Sequence, residues 1–311
     1  MKKLVILSGP TAVGKTALSI ELAKRINGEI ISADSMQVYR GMDIGTAKIR
    51  EEEMQGVRHH LIDIISPFDE WSVSTFKDEA LKAAEKIWAA GKIPILVGGT
   101  GFYIQALLYD VQFTEQDPAD VREKLAELYE KEGAAALHKR LSQVDPASAQ
   151  AIHENNVKRV MRALEYFLTT GEKISEHNEE QRERKSPYNF AYFVLTMDRS
   201  ILYERIDKRV DLMMEEGLLD EVRRLKDMGC SSDMVSMKGL GYKEIISYLD
   251  GEHDLEEAVR ILKRDTRHFA KRQLTWFRRE KEVTMIDKGD FAGEDEILEH
   301  MLWLLGEKGI I

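Results

Sequence analysis

Residues 9–16 read Gly9-Pro10-Thr11-Ala12-Val13-Gly14-Lys15-Thr16 and fit the pattern G-x-x-x-x-G-K-[ST] at every fixed position. No other stretch constrains the fold so strongly, because the pattern works only in a loop that leaves a buried strand and opens a helix. The flanks supply both elements. Residues 4–7 (LVIL) are an aliphatic run ended by Ser8 and Gly9, as in a buried strand, and Leu18, Leu22 and Ile26 mark one face of a helix over 15–26. Glycines let backbone N–H groups turn inward around phosphate oxygens, and the helix N-terminus adds partial positive charge. In such a loop Lys15 would reach the terminal phosphates, and the Thr16 hydroxyl would ligate Mg²⁺. At average residue usage the octapeptide arises by chance in roughly one chain of this length per hundred. Residues 9–16 therefore predict a polyphosphate site.

The remaining pattern predicts an α/β class: a P-loop NTPase-like parallel sheet core with an all-helical insertion subdomain. Residues 30–32, 60–65, 93–97, 191–197 and 283–286 read as further strands, and 76–90 as a helix. Residues 117–183 hold no strand-like run, but Asp117-Pro118 and Asp145-Pro146 each place a capping acid before a first-turn proline. The expected division is a discontinuous core over 1–115 and 189–290, a helical insertion over 116–188, and a C-terminal helix over 291–311.

Composition narrows the class. Of 311 residues 43% are apolar and 32% charged, which excludes a disordered chain, and no apolar run approaches the roughly 20 residues a membrane helix needs. Lys2 and Lys3 precede an apolar stretch too short for a signal peptide, so a soluble cytoplasmic protein is expected. One cysteine, Cys230, rules out an internal disulfide or a cysteine-based zinc finger. The net charge of −10 argues, taken alone, against a nucleic-acid partner.

A phosphate loop does not specify a reaction. Asp34 ends the second strand, where the ligand crevice of a parallel sheet forms, and could be a metal ligand, a general base or a helix cap. Thr100, within Gly98-Gly99-Thr100-Gly101, should emerge at the same edge; the glycines there permit close approach to a ligand or form a plain strand-to-helix turn.

GPTAVGKT, residues 34–48 (DSMQVYRGMDIGTAK), 59–63 (HHLID), 98–103 (GGTGFY), 159–165 (RVMRALE), 209–222 (RVDLMMEEGLLDEV) and 271–278 (KRQLTWFR) together closely resemble the bacterial tRNA dimethylallyltransferases, also called tRNA isopentenyltransferases. The resemblance runs from about residue 4 to residue 280. It implies transfer of a dimethylallyl group from dimethylallyl diphosphate to N6 of the adenine 3′-adjacent to the anticodon. The loop would then hold that diphosphate instead of ATP. Lys15, Mg²⁺ on Thr16, and Arg205 would neutralise the leaving group. Asp34 would accept the amine proton, Thr100 would lie near the amine and the diphosphate, and Ser35 and Gln37, with Met36 between them, would hold the base. The adenine must leave its stack to be reached.

Residues 258–281 carry nine basic against two acidic residues, a net of +7, interleaved with His268, Phe269, Trp276 and Phe277. Basic groups track phosphates and aromatics stack on splayed bases, although a solvated amphipathic helix reads the same way. The resemblance places RNA contacts at Lys271, Arg272, Gln273, Trp276 and Arg278, at Lys158, Arg159, Val160, Met161 and Arg162 in the insertion, and at Arg122. The tRNA anticodon stem-loop is the implied partner, and a monomer is expected because one core and one insertion can enclose one anticodon loop. Animal and fungal relatives can carry a zinc finger that a single cysteine forbids, so a bacterial-type enzyme is implied. Rival readings are a small-molecule kinase with a helical lid, an adenylate isopentenyltransferase, and a non-catalytic nucleotide-switch or RNA-binding protein.

Overall fold

A computed structural model of the chain describes residues 1–113 and 119–311. In chain order the elements are β1 (Lys2–Ser8), α1 (Lys15–Arg25), β2 (Gly28–Ser32), β3 (His59–His60), α2 (Val73–Ala89), β4 (Ile93–Gly98) and α3 (Gly101–Leu108). Four helices follow: α4 (Ala119–Val144), α5 (Pro146–Ala151), α6 (Val157–Thr170) and α7 (Ile174–Glu183). The chain then returns through β5 (Tyr188–Thr196), α8 (Arg199–Glu215), α9 (Leu218–Asp227), α10 (Tyr242–Leu249), α11 (Leu255–Phe277), β6 (Val283–Asp287) and α12 (Glu294–Glu307). It divides into two compact units, Met1–Asp110 with Pro187–Ile311, and Val111–Ser186. Among the described residues no helix is long and apolar enough to cross a membrane.

The first unit is built on one parallel sheet in the order β3-β2-β4-β1-β5-β6. Helices cover both faces, so successive β1 side chains enter different cores, which is why the strand reads as unbroken apolar sequence. Leu4 and Ile6 join Phe76 and Leu107 on one face, and Val5 and Leu7 join Leu18 and Leu22 on the other. Ile297, Leu298, Met301 and Leu305 of α12 are buried in the second of these clusters. The expected strand over 60–65 is cut to His59–His60, because Leu61 (φ 63°) and Asp63 (φ 54°) leave the β region. Ile65 rejoins only through an isolated bridge to Tyr39. The C-terminal ends of β1, β2 and β4 lie at one edge, the ligand side of such sheets.

The second unit is helical with its own core of Leu125, Leu137, Leu141, Val160, Ala163 and Leu164. α4 bends sharply at Gly133 (φ 79°, ψ 179°). Asp145 caps α5 ahead of Pro146, accepting the Ser148 N–H at 3.0 Å, and also takes the Ser175 N–H at 3.0 Å. Burial would raise its pKa, but hydrogen bonds from Ser148 and Ser175 outweigh it and hold the carboxyl below its ordinary value. Asp117 and Pro118, expected to open this unit, lie outside the described residues.

Candidate active site

The phosphate loop crosses from β1 to α1 with Gly9 at φ 144° and Gly14 at φ 102°, conformations that L side chains rarely adopt. Its carbonyls are held by cationic side chains. Lys15 Nζ donates to the Gly9 and Pro10 carbonyls at 3.0 and 2.8 Å, and Arg205 Nε donates to the Ala12 carbonyl at 2.9 Å. Fixing the carbonyls fixes the peptides, and such a loop receives an anion on those N–H groups that remain unbonded; that of Thr11 is taken by Gln273. Thr16 is exposed at the start of α1.

Arg209 was not singled out by sequence, yet it reaches the same loop: Nη1 donates to Thr11 Oγ1 at 3.2 Å. It sits one helical turn after Arg205, and a basic i, i+4 pair on a helix facing the sheet edge is the signal that could have found it. Burial lowers the Arg209 pKa, opposed by the charge of Asp34. Burial and the Arg209 charge likewise push the Lys15 ammonium down to about 8 despite Asp34.

Asp34 uses Oδ1 to accept the Met36 N–H at 2.9 Å and the Gln37 N–H at 3.4 Å. The carboxylate is thus oriented by the turn that follows it, and among the described residues Oδ2 has no donor. Thr100 is the N-cap of α3, but its hydroxyl makes no capping bond. Gln37 is tied down: Nε2 donates to the Thr46 and Ala47 carbonyls at 3.3 and 3.4 Å, and Oε1 accepts from Ser32 Oγ at 3.2 Å.

The glycines around Thr100 serve the chain itself, not room for a ligand. A Cβ on Gly98 would lie 2.3 Å from the Ala33 carbonyl oxygen, one on Gly99 2.1 Å from Gln273 Nε2, and one on Gly101 2.2 Å from Trp276 Nε1. Gln273 is buried and links two loops, donating from Nε2 to the Gly99 carbonyl and accepting the Thr11 N–H at Oε1, both at 3.0 Å.

Some of these groups line a cavity of about 460 Å³, and Lys15, Thr16, Gln37 and Arg205 are not among its lining residues. Thr11, Asp34, Ser35, Met36, Thr100, Arg209, Arg272 and Gln273 line it, and Ile206, Val210, Met213, Leu240, Leu262 and Phe269 make an apolar wall. Gly45, Thr46 and Ala47 form another side. That loop is hung on buried Glu221, which accepts N–H bonds from Asp43 and Ile44 at 2.9 Å, from Gly45 at 3.1 Å, and the Tyr242 hydroxyl at 2.7 Å.

The basic run on α11 is less free than its sequence suggests. Arg260 pairs with Glu257, Lys263 with Asp211, Arg264 with Asp265 and Arg267 with Asp207. Lys271, Arg272, Arg278, Arg279 and Lys281 are exposed towards its far end. Phe277 is a core residue at 1% exposure, so only Trp276 of that pair, 37% exposed and edge-on to Phe102, is available for stacking. In the second unit Lys158 and Arg159 are exposed, Arg122 and Arg162 both pair with Glu165, and Val160 is fully buried in the helical core. Met161 packs partly against that core. The Val160 side chain therefore packs in the helical core, whereas Lys158 and Arg159 beside it are exposed.

Comparison with known proteins fits this geometry. The family described as IPP transferase matches residues 37–280. A tRNA dimethylallyltransferase of Lachnoclostridium phytofermentans is 61% identical over the full length of both chains. The crystal structure of the full-length tRNA isopentenylpyrophosphate transferase of Bacillus halodurans is 48% identical with a TM-score of 0.75, covering 99% of this chain and 98% of that one. A eukaryotic dimethylallyltransferase captured acting on tRNA is 31% identical with a TM-score of 0.78, covering 92% of this chain and 74% of that one.

Proposed function

The chain belongs to the IPP transferase family, and from that premise we propose that it transfers a dimethylallyl group from dimethylallyl diphosphate to N6 of the adenine 3′-adjacent to the anticodon of tRNA. One observation carries this reading. A carboxylate, a free threonine hydroxyl, a buried arginine and Thr11 of the phosphate loop line one cavity that also carries an apolar wall of Ile206, Val210 and Met213. A phosphate loop answers the diphosphate, and the Ile206, Val210 and Met213 wall answers a five-carbon chain that water would solvate poorly. A small-molecule kinase would use the loop but has no call on that wall.

In the reaction the bond between prenyl C1 and the diphosphate oxygen breaks, and its electron pair leaves with diphosphate. The N6 lone pair forms the new C–N bond, and Asp34 accepts the N6 proton, so the amine is neutral at the end. Lys15, Arg209 and Arg205 hold positive charge where the leaving group becomes more negative. Thr100 is placed to position the amine or a diphosphate oxygen. The donor set suits a phosphate-borne Mg²⁺. Thr16 offers an exposed hydroxyl, no group of three His, Cys, Asp or Glu side chains forms a cage among the described residues, and Mg²⁺ commonly relies on one or two protein ligands plus phosphates. Bound there, the ion would supply further neutralisation of the diphosphate.

On the RNA side, Lys271, Arg272, Arg278 and Trp276 of the first unit, with Lys158 and Arg159 of the second, engage the anticodon stem-loop. The protein acts in the cytoplasm, as a monomer. The test is transfer of label from dimethylallyl diphosphate to an unmodified tRNA with adenines following the anticodon. Asp34→Ala should abolish turnover while leaving tRNA affinity in place. Phosphoryl transfer from ATP without prenyl transfer would overturn the reading.

A further inference from the structure

The turn after β6 places Lys288 behind the phosphate loop. Its side chain is only 15% exposed, and Nζ donates to the Val13 carbonyl at 3.4 Å and to Glu294 Oε1 at 2.7 Å. Glu294 is the first residue of α12, which is anchored in the core by Ile297 and Met301. Asp287 fixes the turn from the other side, accepting the Gly289 N–H at 2.9 Å and the Thr196 hydroxyl at 3.3 Å. The fit is close. A Cβ on Gly14 would stand 2.9 Å from Lys288 Nζ, 3.6 Å from Glu294 Oε1 and 3.8 Å from Arg205 Nη2.

Lys288 completes a sequence of cation contacts along the loop. Lys15 holds the carbonyls of Gly9 and Pro10, Arg205 that of Ala12, and Lys288 that of Val13. Once Lys15 turns to an anion, its two carbonyls are released, and Arg205 and Lys288 are the cations still bonded to loop carbonyls. We propose that Lys288, steadied by Glu294, is a positioning residue that keeps the Val13 and Gly14 peptides turned so that the loop can receive diphosphate. Nothing in the octapeptide pattern itself carries this role; the C-terminal helix enters the active site through it. The inference rests on the reading of the loop as the diphosphate site.

Calorimetric titration of the full chain with inorganic diphosphate, beside steady-state kinetics, tests it. Lys288→Met should weaken diphosphate binding and raise KM for dimethylallyl diphosphate by about tenfold, the scale of one charge-assisted hydrogen bond, with kcat within about twofold and tRNA affinity unchanged. Lys288→Arg should recover most of the loss. The double variant Lys288→Met/Glu294→Gln should stay weak, because the missing element is the grip on Val13. Recovery in the double variant would mean that an uncovered Glu294 merely repels the anion, and would overturn the proposal. So would Lys288→Met binding diphosphate like the wild type, or losing tRNA affinity and thermal stability in step with it. If Lys15→Met binds diphosphate as well as the wild type, the diphosphate site itself is misplaced and both readings fall.

Discussion

Gln273 on α11 accepts the backbone N–H of Thr11 in the phosphate loop at 3.0 Å, across 262 positions of chain. The same side chain donates to the Gly99 carbonyl, so one amide sets the distance between the loop that would hold diphosphate and the loop that carries Thr100. Gln273→Leu leaves two backbone groups without partners in a buried place, each worth about 1–3 kcal/mol. We expect a stability loss of about 2–4 kcal/mol and a fall in kcat/KM of about a hundredfold. Gln273→Glu separates the halves, since a carboxylate can accept from Thr11 but not donate to Gly99. It should keep part of the stability and still lose most of the rate; wild-type kinetics in Gln273→Glu would refute the bridge.

Glu221 plays the equivalent part for the third side of the cavity. Both carboxylate oxygens are spent on the N–H groups of Asp43, Ile44 and Gly45 and on the Tyr242 hydroxyl. Glu221→Gln puts an NH₂ against N–H donors, and Glu221→Ala leaves them all unbonded. Chemical denaturation should show losses of about 2 and 3–4 kcal/mol respectively. KM for dimethylallyl diphosphate should rise with the loss, because Gly45, Thr46 and Ala47 line the cavity. An unaltered KM in a folded Glu221→Ala variant would show that the loop does not depend on this anchor.

What could be read from sequence followed from local chemistry. The β1–loop–α1 unit was legible because each fixed position has a backbone or phosphate role within a few residues. Asp34 and Thr100 were legible because strand ends in a parallel sheet converge. Contacts between distant segments were not. Nothing near Glu221 shows that it will bind N–H groups some 177 positions earlier, and the glycines beside Thr100 fit ligand approach or a plain turn equally in sequence, whereas Ala33, Gln273 and Trp276 fill the space beside them. The +7 count over 258–281 could not show, for the same reason, that Asp207 and Asp211 on α8 pair with two of the α11 cations. The 60–65 run was apolar enough for a strand but hid two residues with positive φ.

Lys15 should leave a pH signature. Its ammonium is held down to about 8, first by burial and then by Arg209, against the pull of Asp34. Between about 8 and 10.5 the folded chain has released this proton while the unfolded chain keeps it, so Lys15 makes the fold gain stability as pH rises through that window. Anion binding has the opposite sign, because diphosphate prefers the charged form. kcat/KM for dimethylallyl diphosphate should therefore fall above pH 8, approaching tenfold per unit. Arg209→Gln removes one lowering charge and should move that limb to higher pH even as it lowers the plateau. A limb that stays in place would assign the titration to another group.

Glu280 gives the clearest test of stability against pH. Burial raises its carboxyl to about 7, outweighing hydrogen bonds from Gln105, whose Nε2 donates at 2.8 Å, and from the Trp276 indole. The folded chain thus keeps a proton that the unfolded chain loses near 4.5, so this group subtracts stability progressively as pH rises from 4.5 to 7, and fully above. Glu280→Gln keeps an acceptor for Gln105 and cannot ionise. It should match the wild type at acidic pH and exceed it by about 1 kcal/mol at pH 8, after allowance for partial exposure. Thermal melts at pH 5.5 and 8.5 would show the gap opening with pH. A constant gap would mean that the substitution acts through packing against Trp276, whose indole lies over Gly101 beside Thr100. In that case prenyl transfer, not stability, should carry the larger effect.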